Sequence, residues 1–365
     1  MSLQRGLLCV ACVGLGTHAW AQSSVQVYGL IDTVVETMNH VGPAQSRLNR
    51  MPNLTGSAPS RLGLRGTETL GQGLKAQFVL ETGIGSDAGG INQGNRAFGR
   101  QAYVALQGPW GEIGLGRQYT MLYWGIVQAD VIGASLHSMA SLDSYFPNAR
   151  SDNALTYRGS FSGLTLGASY SLGRDTVNAG PGPAGTNCPG ELAGDSKACR
   201  AWSALVQYDT ARWGIAMVVD TLHGGEGAYA GLSHSGMRDR RRLLNGYVTC
   251  SPWKLGAGYM RRTHDGDATA PRSSLWFVGA SYEQGPWMID SQVNQLRFRD
   301  SPDKAQLWVL RGTYKLSART AAYASVGYIR NSGSRAFGVS GAAAGGLPMA
   351  GQNQTGLGVG LRHAF

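Results

Sequence analysis

Arg61, Arg65, Lys75 and Arg100 are spaced so that all four fall on the polar side of strands whose other side is apolar. In SRLGLRGTETLGQGLKAQFVLET, which starts at Ser60, Leu62 and Leu64 alternate with Arg61, Gly63 and Arg65. Leu74, Ala76, Phe78 and Leu80 alternate likewise with Lys75, Gln77 and Glu81. Strand side chains point to opposite faces in turn, so each strand has one oily and one charged face. Cations gathered on one wall break no bonds; they set a potential that concentrates anions. This stretch alone fits two architectures, an antiparallel sandwich with a solvated basic face or a closed barrel with a cationic inner wall.

The groups that would support catalysis are not assembled. His40, His137, His223, His234 and His264 are scattered over connecting segments, with no serine motif beside them. No GxSxG, HExxH or phosphate-loop pattern occurs. His264-Asp265-Gly266-Asp267 is too short for a calcium loop. The expectation is a chain that is not an enzyme and has no metal or cofactor. The formal charge is +10, and without Arg5, the only charge in residues 1–21, it is +9. Nucleic-acid binders concentrate such charge in runs. Here the sole run is Arg238–Arg242, interrupted by Asp239, so no nucleic-acid partner is expected.

The elements that must position the cations follow from composition and rhythm. Glycine is 54 of 365 residues and charged residues only 15%, against a usual ~7% and ~25%. No stretch reaches the ~18 apolar residues of a membrane helix. If the chain crosses a membrane, it does so as a closed barrel, which satisfies every backbone group. Residues 1–21 read as a secretory signal: Arg5, then the apolar Leu7–Gly16, then Ala19-Trp20-Ala21 as the cleavage site. Cys9 and Cys12 lie within it. Domain organisation is then 1–21 signal and 22–365 barrel. Export favours a disulfide between Cys188 and Cys199, which share one Gly/Pro-rich loop, and leaves Cys250 free and structural.

Alternation predicts sixteen strands, all joined as hairpins. The first is Ser24–Glu36. Four more lie in Ser60–Tyr119, and eleven run from Asn153 to Phe365. Tight turns alternate with long loops, as in a transmembrane barrel. Trp110, Trp213, Trp253 and Trp287 each mark a tight turn, and strand counting puts all four on one side, where a bilayer places its aromatic belt. One connection, residues 120–148, breaks the rhythm. It is too long for an ordinary link and too apolar for disorder. It must be buried, and the natural place is the lumen.

These stretches also match a family. SSVQVYGLID, SRLGLRGTETLGQGLKAQFVLE, FGRQAYVALQGPWGEIGLGRQY, RSDNALTYRG and the terminal GLGVGLRHAF occur in family order from Ser23 to Phe365. The chain resembles the trimeric general porins of Gram-negative outer membranes, most closely the β-proteobacterial branch. The resemblance implies a sixteen-stranded homotrimer in outer-membrane lipid and lipopolysaccharide, inserted by the barrel-assembly machinery, with one water-filled pore per subunit narrowed by the third loop. It implies an arginine ladder at the constriction: Arg61 and Arg65 on the second strand, Arg100 on the fourth, and Arg150 at the start of the sixth. Lys75 joins them by alternation alone. Opposing loop acids are expected, yet the Pro-Glu-Phe-Gly pattern of enteric relatives is missing, leaving Asp130 and Asp143. The second loop, Gly83–Phe98, resembles a latch to a neighbouring subunit, with Asp87 as its acid and Arg117 as the matching cation. Phe365 matches the terminal aromatic read during insertion.

The implied function is passive diffusion of small hydrophilic solutes and ions, with anion preference. A substrate-specific outer-membrane channel would need an aromatic track inside the lumen. An outer-membrane enzyme would need a nucleophile and base that the residues do not assemble, whereas an adhesin would bind partners through the loops, a secondary role compatible with a pore.

Overall fold

The alternation is realised as a wall that is greasy outside and polar inside. The computed structural model describes residues 24–145, 149–175, 187–266, 272–341 and 345–365. The signal assigned to residues 1–21 therefore lies outside the described residues, as do Pro147 and Asp267. Seventeen strands form one antiparallel sheet: β1 Ser24–Val41, β2 Ser46–Arg50, β3 Arg61–Gly71, β4 Leu74–Gly83, β5 Gln101–Gly108, β6 Gly111–Tyr119, β7 Arg150–Phe161, β8 Leu164–Ser171 and β9 Ala201–Asp209. The wall continues through β10 Trp213–His223, β11 Arg238–Cys250, β12 Trp253–His264, β13 Arg272–Gln284, β14 Trp287–Phe298, β15 Lys304–Lys315, β16 Thr320–Ser332 and β17 Gln354–Ala364. The five-residue β2 lies within the first long loop, leaving a wall of sixteen strands.

β1 closes the barrel. Its first half pairs with β3, from Ser24↔Thr67 to Leu30↔Arg61, and its second half with β17, from Leu30↔Ala364 to Met38↔Gly356. Ladder bonds therefore continue past the point where an open sheet would have edges. Val25, Val27 and Val35 of β1 are exposed on the outside, while Asp32, Val34, Glu36 and Met38 are buried inside. An apolar outer face suits hydrocarbon, and internal pairing of the backbone is what such a solvent demands. β1 runs five residues past the expected Glu36, because residues beyond it continue to pair with β17 and β2.

The connection 120–149 folds inward. The backbone N–H of Thr120 donates to the carbonyl of Ala149 (2.8 Å), closing its neck. Helix α1, Met121–Ile126, buries Met121, Leu122 and Ile126 in the core cluster that includes Leu205, Ala216 and Val218 of β9 and β10. The loop then follows the inner wall. Asn245 on β11 donates to the carbonyl of Gly125 (2.9 Å), and Arg311 on β15 donates to that of Ile132 (3.1 Å). At Gly256 on β12 and Gly358 on β17 any side chain would collide with the loop, at the carbonyl of Ala129 and the side chain of Leu136 respectively. These glycines let loop and wall approach closely. The loop packs mainly against β9–β17 and leaves open space beside β5–β8.

Candidate functional site: the lumen wall and its loop

Three cations of the expected ladder converge on the inner wall. Arg100 donates from Nε to Glu81 Oε1 (2.7 Å) and from a terminal nitrogen to Tyr119 Oη (2.8 Å). Arg61 Nε stands 3.6 Å from Glu81 Oε2. Arg150 donates to the same Tyr119 hydroxyl (2.9 Å), with its guanidinium 4.4 Å from the ring centre. Odd positions of β3 and β4 face inward, which brings Arg61 and Glu81 onto adjacent strands almost level with each other. Tyr119 closes β6 immediately before the inward loop, so the loop's root and the cation cluster are one structure. Arg100 and Arg150 are buried, and Arg61 is partly open to the lumen.

Arg65 lies four residues along β3 from Arg61, roughly 13 Å at strand rise. It is exposed, with two bonds to Gln26 Oε1 (2.9 and 2.7 Å) and its guanidinium 5.2 Å from the Tyr28 ring centre. Among the described residues no carboxylate pairs with it. Lys75 faces inward as alternation predicts, but it sits beside the β3–β4 turn, opposite Thr69 and Gln107. Six residues, about 20 Å of strand, separate it from Glu81. The structure thus removes Lys75 from the cluster and puts it at the turn-end rim. Alternation fixes a side, not a height.

The two loop acids do not face the ladder. Asp143 accepts from Arg241 of β11 at Nε (2.9 Å) and at a terminal nitrogen (3.0 Å). Burial pushes its carboxyl up, but the Arg241 and Arg262 charges outweigh this and hold it below the ordinary range. Asp130 accepts from Gln292 of β14 (3.0 Å), with no guanidinium at ion-pair distance among the described residues, and burial raises its carboxyl above the ordinary range. Both acids tie the loop to the wall at β11 and β14, away from β3–β5. The carboxylate that meets the ladder is Glu81.

Two partners escape sequence reasoning. Arg158 on β7 stacks over Trp124 of α1, its guanidinium 3.7 Å from the ring centre. Asp239 on β11 receives bonds from Arg241 (2.8 Å) and Arg262 (2.8 and 2.9 Å), extending the Asp143 network. Alternation marks Arg158 as inward, whereas Asp239 precedes the strand expected from Leu243 and is inward because β11 starts at Arg238; only the loop's path reveals what either meets. Between loop and wall, at the turn end, a cavity of about 540 Å³ is lined by Gln107, Glu112, Trp124, Gln128, Arg158 and Gln207, among others.

Arg117 is buried and spent within its own chain, on Asp152 (2.6 Å) and the carbonyl of Gly99 (2.7 Å). Arg96 of the second loop also reaches Asp152 (3.0 Å) and Asp175 (2.8 Å), so this loop is clamped back onto its own barrel. Asp87 is exposed at the loop tip, apart from Arg117. Cys188 and Cys199 are joined by a disulfide, and Cys250 is free but exposed rather than packed. Phe365 exchanges backbone bonds with Gly29 (3.1 Å each way), and its ring takes the space a side chain at that glycine would need.

A closed sixteen-stranded barrel with an apolar outside, a charged inside and an inward third loop defines a transmembrane diffusion channel. The family model described as Gram-negative porin matches residues 8–334, and the chain belongs to that family. It is 30% identical to outer membrane porin protein 32 of Delftia acidovorans, over the whole of both chains. To an outer membrane porin protein of Bordetella pertussis it is 28% identical, again over the whole of both. A solved structure titled anion-selective porin from Comamonas acidovorans aligns with a TM-score of 0.76 at 25% identity, covering 94% of this chain and 100% of that one. The chain is therefore an outer-membrane porin, multi-pass, in a family of channels rather than enzymes.

Proposed function

We propose that the channel prefers anions, that Arg61, Arg65, Arg100, Arg150 and Arg158 supply the preference, that the working form is a homotrimer, and that residues 1–21 direct export. One observation carries the selectivity reading: Arg65 and Arg158 face the lumen without a carboxylate partner among the described residues, while Glu81 is shared between Arg61 and Arg100. The wall between β3 and β7 thus holds more positive than negative charge, and low-dielectric walls focus that field into the water. Hydrated anions are drawn in without being stripped, so passage stays passive. The Comamonas relative's title supports the same sign. Asp130 and Asp143 hold the loop and do not oppose the ladder. For the trimer, the exposed Asp87 tip supports the second loop as the reaching element, with Arg117 acting inside its own subunit. Replacing Arg65 and Arg158 by glutamine and measuring the chloride-to-potassium permeability ratio in planar bilayers tests the assignment. The ratio should fall several-fold with conductance retained, and an unchanged ratio rejects these residues.

A further inference from the structure

The helix that opens the inward loop is apolar on every side. On α1, Met121, Leu122, Gly125 and Ile126 are buried. At 3.6 residues per turn they span an arc of roughly 140°, and this arc packs on β9 and β10. Tyr123, Trp124 and the capping Val127 fall on the remaining side, between roughly 200° and 300°. Packing against the wall explains the first arc and not the second. Tyr123 and Trp124 are only half-buried and Val127 is exposed. Trp124 and Val127 border the open space beside β5–β8. A helix that is apolar all round is normally buried, and an apolar ridge in a wet passage marks a place where something else is to be covered.

The rings on this ridge belong to the cation cluster. Tyr123 stacks on Tyr119, with 3.8 Å between ring centres and 15° between planes. Trp124 meets Tyr123 edge-on at 5.4 Å. Tyr119 carries the hydroxyl that accepts from Arg100 and Arg150, and the charges of these two and of Arg61 act on Tyr123. Past Tyr123 the loop forms a shallow hollow lined by Ile126, Val127, Ala134 and Met139. Asp130 borders it as well, but its carboxylate accepts from Gln292. Arg61 is partly open to the lumen; one terminal nitrogen donates to the carbonyl of Pro59 (3.1 Å), and the other has no hydrogen bond among the described residues. A solute at this height meets guanidinium groups and an apolar ridge together. Chloride can use only the first.

We propose that the constriction binds, in transit, small aromatic carboxylates, with the carboxylate at Arg61 and the ring on Tyr123 and Val127. A flat ring suits this ridge because aromatic side chains hold another ring by its face or edge, and the charge at its end suits the guanidinium beside it. The inference rests on the anion-preferring reading above and names a solute class for it. Binding is weak enough for release, as passage through a channel requires.

The probe is benzoate at about pH 8, where it is ionised, added to a planar bilayer holding the purified full-length channel in KCl. Acetate, with the charge and no ring, and benzyl alcohol, with the ring and no charge, are the comparisons. Benzoate should interrupt the single-channel current at about a tenfold lower concentration than acetate, the upper size of one aromatic contact. Benzyl alcohol should not interrupt it over the same range. Tyr123→Ala and Val127→Asn should each bring benzoate to within about threefold of acetate. Equal action of benzoate and acetate, equal action of benzoate and benzyl alcohol, or an undiminished benzoate advantage in both variants would each overturn the proposal. Val127 is exposed, so its variant decides the matter even where Tyr123→Ala does not fold. The reversal potential in KCl, read in the same film, separates the two readings. Chloride preference with benzoate acting like acetate ends this proposal alone, and potassium preference ends both.

Discussion

Arg100 and Glu81 meet side by side in the lumen wall, Nε to Oε1 at 2.7 Å, and both are almost wholly buried. Glu81 is also the carboxylate nearest Arg61. It therefore stabilises the cluster and subtracts from the field the cluster presents. Glu81→Gln should raise the chloride preference of the open channel. It should also destabilise the barrel by about 3 kcal/mol, because it leaves a buried guanidinium without its counter-charge. Reversal potential and thermal unfolding in detergent read the two effects separately.

The inward loop is held at its far end by Arg241, which bridges Asp143 and Asp239. Arg241→Ala leaves two buried carboxylates short of a partner, a change that typically costs about 3–5 kcal/mol. The expected readouts are current flicker in single channels and protease cleavage within residues 120–148, with the strand wall intact by circular dichroism.

Asp143 and Asp130 should respond to pH with opposite signs. Asp143 is held below the ordinary carboxylate range, so its contribution is full above the unfolded value, about 4, and is lost as pH falls through its lower folded value. Asp130 is held above that range, so its penalty grows as pH rises from the unfolded value through the folded one. Asp130→Asn should raise the unfolding temperature at pH 7 and not at pH 3. Asp143→Asn should lower it at pH 7. Differential scanning calorimetry at the two pH values checks both.

Reducing the Cys188–Cys199 bond should cost the loop that carries it about 2–3 kcal/mol in chain entropy. The bond lies in the connection between β8 and β9, whereas Arg61, Arg65, Arg100 and Arg158 stand on or beside β3, β5 and β7. Reductant should therefore raise proteolysis near residue 190 and leave the permeability ratio unchanged.

Much of this molecule is legible in its residues. Period-two alternation gives the strands because one face must meet lipid, and Trp110, Trp213, Trp253 and Trp287 give the sidedness because indole prefers the headgroup layer. The loop 120–148 stands out because a long apolar connection needs burial. What alternation cannot give is height and partnership. Lys75 shares a face with Glu81 but not a level. Arg158 takes its meaning from where α1 lays Trp124, and Asp143 from Arg241, nearly a hundred residues away. Those pairings depend on the loop's path through the lumen, which local patterning does not encode.

The most direct test is the reversal potential of the wild-type channel in a planar bilayer separating two KCl concentrations. The cation-rich wall between β3 and β7 requires a sign that shows chloride crossing more readily than potassium, weakening as salt screens the arginines. A sign showing potassium crossing more readily would contradict the account.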